Sequence, residues 1–184
     1  MNRVYNKQWL MQRYPDASAI PFLFFWGHQP SRDGSLTKTC FSQWWVALFE
    51  VDGVRYPTAE HWMMAGKARL FGDLEALGRV TATVSPAAAK KEGRLVKNFV
   101  PDTWDKHKFE LVFAGNWHKF SQNDDLKRYL AGTGEHVLVE ASPVDPVWGI
   151  GLAADHPAAK KPESWKGENL LGFALMEVRE KLKG

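Results

Sequence analysis

The sequence predicts a helix-dominated α+β domain with a small antiparallel sheet, and three observations carry that reading. Apolar residues recur at three- and four-residue spacing over several helical turns, as in Leu171, Ala174, Leu175, Val178 and Leu182. Strand patterns are short and confined to residues 22–26, 47–56 and 136–141. One of them contains Asp52-Gly53, a dipeptide that marks a tight hairpin. With 184 residues, 45% of them hydrophobic, the chain suits one domain over 1–184, with residues 1–20 as a peripheral N-terminal segment.

Taken in order, residues 1–20 are polar, carry a Tyr14-Pro15-Asp16 turn signal and read as irregular or partly helical. Phe22-Leu23-Phe24-Phe25-Trp26, bounded by Pro21 and Gly27, reads as a buried strand. Residues 28–39 form a loop, and the 47–56 hairpin then leads into a helix opened by Pro57 and Thr58. Gly72-Asp73 ends that helix and residues 74–80 make a short one. Ser85-Pro86 opens the next, with serine at the cap and proline at the first position. A long helix runs from Asp102 to about Phe120, and Asn123-Asp124 starts another that stops at Gly132. Residues 136–141 alternate as a strand, two turn-rich loops follow, and Asn169 is the expected cap of the final helix.

Composition excludes several classes. No apolar run reaches membrane-spanning length, and Met1-Asn2-Arg3-Val4-Tyr5 lacks the charged-then-apolar build of a signal peptide. A single cysteine, Cys40, cannot form an internal disulfide or a cysteine cluster, so a cytoplasmic setting is expected. The net charge of +3 is dispersed, with pairs such as Lys90-Lys91 and Lys160-Lys161 but no basic block. Six histidines lack ligand spacing, so neither a metal nor a cofactor is expected. Phosphate-binding glycine loops, the Gly-x-Ser-x-Gly elbow and His-Glu-x-x-His are all missing. Nine tryptophans stand out, because indoles are good plates for flat heterocycles.

The helix after Thr58 attracts the functional reading. At about 100° per residue, Glu60, Met64 and Lys67 share a face, with acid and amine roughly 10 Å apart along the axis. A small ligand fits between them with Met64 as its floor; a solvated charged face over methionine filler is the plainer account. Asp145-Pro146-Val147-Trp148-Gly149-Ile150-Gly151 offers a carboxylate, an indole and two glycines on one loop, against an Asx-type turn with a packed tryptophan. Trp165-Lys166-Gly167-Glu168-Asn169 is a further candidate, with Asn169 either an ordinary cap or part of a ligand-facing helix N-terminus.

Three stretches together carry a resemblance: Tyr56-Pro57-Thr58-Ala59-Glu60-His61 through Lys67-Ala68; Glu140-Ala141-Ser142 with Asp145, Trp148, Gly149, Ile150 and Gly151; and Trp165, Gly167, Asn169-Leu170-Leu171-Gly172 with Leu175-Met176, Val178 and Arg179. In that order, spanning residues 22–183, they resemble the YbiA-like, or NADAR, superfamily of N-glycosidases. The resemblance implies a mainly helical fold and hydrolysis of a bond between ribose and a base or amine. The substrates it implies are small phosphorylated ribosylaminopyrimidine intermediates of riboflavin synthesis, cleaved to ribose 5-phosphate and the free base. Removal of ADP-ribose from guanine in nucleic acid is an alternative, and so is a non-catalytic nucleotide-binding module. The dispersed charge speaks against a nucleic-acid partner.

With that chemistry in mind, Lys67 is the candidate nucleophile, Glu60 the acid/base or ribose-hydroxyl ligand, and Asp145 the carboxylate near C1. Trp148, with Trp104 or Trp44, is expected to clamp the base, and Arg69 and the loop at Gly27 to hold phosphate. The chain departs from the family pattern at Gln43-Trp44-Trp45, at Met63-Met64 and in a longer 28–39 loop, which bears most on substrate choice.

Overall fold

The computed structural model describes residues 4–184, and in it the chain divides into two compact units. One is built from the two ends, Met1–Ser42 with Lys127–Gly184, and the other from the middle, Gln43–Leu126. Helix exceeds strand in both, in keeping with the expected fold class.

The unit built from the chain ends centres on β1 (Phe22–Phe25) and β4 (Val137–Glu140). They pair in parallel, Phe22 opposite Val137 and Phe25 opposite Glu140. The expected sheet was antiparallel, and among the described residues that arrangement is found in the hairpin of the other unit. Parallel strands covered on both faces lose the polar face that an exposed strand keeps, and Val137, Leu138 and Val139 are all fully buried. Helix α7 (Leu170–Lys183) lies against β4, burying Leu170, Leu171, Phe173, Ala174, Leu175, Met176 and Val178. Gly172 permits the approach, because a Cβ there would sit 2.1 Å from the Leu138 carbonyl oxygen. Buried Arg179 donates to Thr133 Oγ1 at 2.8 Å and to the His136 carbonyl at 2.9 Å, fixing α7 to the turn that starts β4. At the N-terminal side, α1 (Lys7–Arg13) is capped by Asn6, whose side chain accepts from Trp9 N at 2.8 Å.

The middle unit opens with the predicted hairpin, β2 (Phe49–Val51) and β3 (Val54–Tyr56), joined antiparallel through Asp52 and Gly53. Both turn residues have positive φ, 51° and 75°, the primed-turn geometry that Asp-Gly favours. Helix α2 (Ala59–Leu70) follows, with Thr58 Oγ1 accepting from His61 N at 3.4 Å. Around it stand α3 (Leu74–Thr81), α4 (Pro86–Arg94) and α5 (Pro101–Ser121). Ser85 and Pro86 begin α4 as the sequence implied. The point of division between the units falls within α6 (Asp124–Ala131).

Glycines set the helix spacings around α2. A Cβ on Gly66 would meet Leu111 of α5 at 2.7 Å, and one on Gly115 would meet the Trp62 ring at 2.5 Å. Trp62 completes this seam by donating its indole N–H to the Leu111 carbonyl at 2.9 Å. On another side, Gly93 of α4 leaves room for the Met64 side chain, whose Sδ would lie 2.0 Å from a Cβ there.

Two glycine substitutions therefore carry opposite signs. Gly172→Ala forces apart α7 and β4 and is expected to cost about 1–3 kcal/mol. Gly78→Ala, on the exposed side of α3 with open space around it, is expected to stabilise by about 0.5–1 kcal/mol. Urea unfolding of the two variants beside the wild type checks both signs.

Candidate active site

Helix α2 carries the candidate acid and amine in its first and last turns. Glu60 is 2% exposed, and its backbone N–H donates to the Gln43 carbonyl at 3.0 Å. A carboxylate in the first turn also meets the positive end of the helix dipole. His61 beside it is fully buried, with Nδ1 2.8 Å from Thr58 Oγ1. Burial pushes its pKa down, and the Thr83 backbone offsets this in part.

Lys67 is half-buried, and its ammonium is held by the C-terminal turn of α4, donating to the Gly93 carbonyl at 2.9 Å. The same nitrogen lies 4.2 Å from the centre of the Phe99 ring and 5.8 Å from that of Trp104. Aromatic faces partly replace the water that an ammonium otherwise attracts, and burial holds the pKa of Lys67 below its ordinary value. Trp104 thus shares the amine's surroundings. Trp44, next to the Gln43 that meets α2, has the Lys90 ammonium 5.7 Å from its ring centre.

The floor expected between Glu60 and Lys67 is filled differently. Met64 is 6% exposed and seated against Gly93, so it serves as packing between α2 and α4. Arg69 also stands apart, turned about 200° around the helix from Lys67. Its guanidinium donates to the Tyr56 hydroxyl and lies about 6 Å from the Tyr56 and Trp62 ring centres. There it borders a 470 Å³ cavity with Trp62, Gly66, Leu70, His107, Glu110 and Leu111. Arg69 therefore does not share the Glu60–Lys67 face, because a two-residue step places side chains on nearly opposite sides of a helix.

In the unit built from the chain ends, Gly27 and the Asp145 loop leave the same end of the parallel strand pair. Gly27, at φ +81° with open space around it, follows β1. The loop follows β4, and Ala141 N donates to the Phe25 carbonyl at 2.9 Å where the strands part. The crevice outside the carboxyl ends of parallel strands is a recurrent ligand position. Asp145 Oδ1 accepts from Val147 N at 2.9 Å and from Trp148 N at 2.8 Å, which makes the Asx-type turn weighed for this loop. Trp148 is half-buried.

The start of α7 corrects both readings of Asn169. The residue has left-handed backbone geometry, φ 55° and ψ 35°, and makes no cap hydrogen bond. Instead its buried amide accepts from Glu140 N at 2.9 Å and donates to the Leu138 carbonyl at 3.0 Å, acting as a third strand's worth of pairing for β4. The first amides of α7 are not open to an anion either. Asn169 N donates to Gly149 O at 3.0 Å, Leu170 N to Val147 O at 3.3 Å and Leu171 N to Trp148 O at 3.1 Å. Gly167 makes this possible, since a Cβ there would fall 2.3 Å from the Gly149 carbonyl oxygen.

Sequence reasoning passed over Phe99, Gly93 and a buried amide pair. Asn116 in α5 donates to Gln43 Oε1 at 2.8 Å and to the Val112 carbonyl at 2.9 Å, with both residues buried. A mid-helix asparagine, an uncommon choice there, was the available signal. Among the described residues, no group of three or more His, Cys, Asp or Glu side chains is placed to hold a metal ion, and no helix is long and apolar enough to cross a membrane.

The chain is similar to known proteins over most of its length. Residues 24–183 match the model of the NADAR domain. The chain is 43% identical over 164 residues to N-glycosidase R617 of Acanthamoeba polyphaga mimivirus, covering 86% of this chain and 95% of that protein. It is 31% identical to N-glycosidase YbiA of Escherichia coli (strain K12) over 77% of this chain and 80% of the relative. The NMR structure of the E. coli protein YbiA superposes with a TM-score of 0.67 at 28% identity, covering 91% of each chain. A match across nearly all of the sequence, joined to a shared fold, places this chain in the NADAR family.

Proposed function

We propose that this protein hydrolyses the ribose–nitrogen bond of phosphorylated ribosylaminopyrimidine intermediates of riboflavin synthesis, releasing ribose 5-phosphate and the free base. That it is an N-glycosidase follows from relatives named for that activity in a giant virus, enterobacteria and a cyanobacterium. The observation that carries the mechanism is the Lys67 amine, drawn partly out of water by Gly93, Phe99 and Trp104, on the same helix stripe as buried Glu60. A cytoplasmic setting goes with this substrate.

Cleavage of this bond needs a proton on the leaving nitrogen, a partner for positive charge at C1, and a nucleophile. Glu60 supplies the proton or grips a ribose hydroxyl. As the base leaves, the neutral ε-amine of Lys67 bonds to C1 and the ring oxygen departs as a hydroxyl, leaving an imine. Water then adds to that imine, returning the amine and releasing ribose 5-phosphate. Only the unprotonated amine has the lone pair this step uses, so a depressed pKa raises the reactive fraction at neutral pH. Trp104, with Trp44, gives the heterocycle flat surfaces to rest on.

Three experiments test this reading. Incubation with ribosylaminopyrimidine phosphates, ADP-ribosylated guanine in nucleic acid, and NAD, scored by mass spectrometry, is expected to give ribose 5-phosphate from the first alone. Release of ADP-ribose from nucleic acid instead would replace the substrate, and no turnover of any would leave a binding module. Borohydride added during turnover is expected to fix a ribose phosphate adduct on Lys67, seen by intact mass. Lys67→Ala should lose the adduct and about 10²–10⁴-fold in rate, whereas full activity in that variant would discard the amine. Finally, kcat/KM should rise with pH along a limb whose apparent pKa lies below the ordinary lysine value of 10.5, and fall at higher pH where Glu60 no longer holds the proton it donates. The sign follows because raising pH increases the neutral amine until it is fully formed.

A further inference from the structure

A second groove lies in the unit built from the chain ends, on the face of β1 that carries Phe22 and Phe24, and none of the residues assigned to the glycosidase chemistry lines it. It has a volume of 690 Å³ and is bordered by Ile20, Pro21, Phe22, Phe24, Pro157 and the lysine pair Lys160-Lys161, with Ala17 and Ser18 at one end. Phe22 and Phe24 project from the same side of the strand, two residues apart. Their rings stack 5.2 Å apart at an interplanar angle of 27°. Both are half-buried, whereas Phe25, on the other face, is 1% exposed and belongs to the core. The two stacked phenyl rings give the groove an apolar wall against which a flat heterocycle can rest.

The segment bearing the lysines is held in place. Lys161 N donates to the Ala158 carbonyl at 3.0 Å, Ser164 N to the Lys161 carbonyl at 2.9 Å, and the Trp165 indole N–H to the Ala159 carbonyl at 2.7 Å. Trp165 is itself buried, and its ring lies 6.2 Å from that of Phe22, so one indole ties the lysine turn to the aromatic platform. Neither Lys160 nor Lys161 makes an ion pair among the described residues, and both are exposed. The acid nearest in sequence to the other wall, Asp16, is already engaged by the Ser18 N–H at 2.9 Å and the Ser18 hydroxyl at 2.7 Å. The groove therefore pairs an aromatic surface with two uncompensated positive charges on an ordered turn.

From this arrangement we infer a second binding site, for a nucleoside 5′-monophosphate, with the base laid against Phe22 and Phe24 and the phosphate met by Lys160 and Lys161. The volume falls within the ordinary range for small-ligand sites, and a platform without directed hydrogen bonds accepts any flat base. A phosphate dianion suits two adjacent ammonium groups better than a carboxylate does. The site is independent of the glycosidase reading: it needs neither Glu60 nor Lys67.

Titration of adenosine 5′-monophosphate into the full-length protein, followed by backbone amide chemical shifts, tests the inference. Shifts are expected in β1 and around residues 157–161, with the same dissociation constant in wild type and Glu60→Gln. Lys160→Glu combined with Lys161→Glu should weaken binding by roughly tenfold or more while leaving N-glycosidase turnover unchanged. Phe24→Ala, accepted only if its thermal unfolding stays cooperative, should weaken adenosine monophosphate but leave binding of inorganic phosphate alone unaltered. Any one of four results overturns the site: no saturation by the mononucleotide, equal affinity for inorganic phosphate and the mononucleotide, full affinity in the double lysine variant, or binding of a single-stranded oligonucleotide to the exclusion of the mononucleotide.

Discussion

The withdrawal of one ammonium group from water sets the terms for the middle of this molecule. Lys67 keeps a carbonyl and two aromatic faces in place of part of its hydration, and those partners come from α4, the following loop and α5. They stay in register only because α2 is clasped at close range, through Gly66 and Gly115 towards α5 and through Gly93 towards α4. A side chain at Gly115 would run into the Trp62 ring and one at Gly93 into Met64 as far back as its Cβ, so either would disturb the packing around the amine. The small residues and the reactive group are in this sense one device: tight helix packing maintains an unfavourable site for charge.

The same economy of small residues governs the other unit, with backbone rather than side chain as the thing positioned. Gly149, Gly167 and Gly172 bring the loop after β4, the turn before α7 and β4 itself within contact of one another. Asn169 bridges what remains by hydrogen-bonding to both Leu138 and Glu140. The Asp145 turn is therefore preformed, since its carboxylate, its amides and the helix start behind it are each tied down. Preorganisation of this kind lets a loop present a carboxylate and an indole without an ordering cost when a ligand arrives.

Much of this was legible in the sequence wherever the information is local. Asp52-Gly53 dictates its own turn, Ser85-Pro86 its own helix start, and the heptad-like spacing of Leu171 to Leu182 its own buried face. What was not legible depends on partners distant in the chain. Nothing in Phe22-Leu23-Phe24-Phe25 names Val137-Leu138-Val139-Glu140 as a parallel neighbour. Asn169 precedes a helix and so looks like a cap, but its left-handed backbone turns the amide towards β4. The separation of Arg69 from Lys67 could be read from the helical period alone. Trp104 was drawn towards Lys67 by chemistry, whereas Phe99, closer to the amine, sits in a short connecting loop that no periodicity marks.

Building one unit from the two ends of the polypeptide has a consequence for its birth on the ribosome. Strand β1 leaves the exit tunnel more than a hundred residues ahead of the neighbour it pairs with, Phe22 being opposite Val137, and further still ahead of the helix that lies on that neighbour. Until β4 emerges β1 lacks its strand partner, and its phenylalanines have only near neighbours such as Phe41, whereas residues 43–126 can close their hairpin and helices as they emerge. Nascent chains stalled before α7 should thus pair a folded middle with a sticky, unfinished beginning, a natural client for chaperones that grip short aromatic stretches.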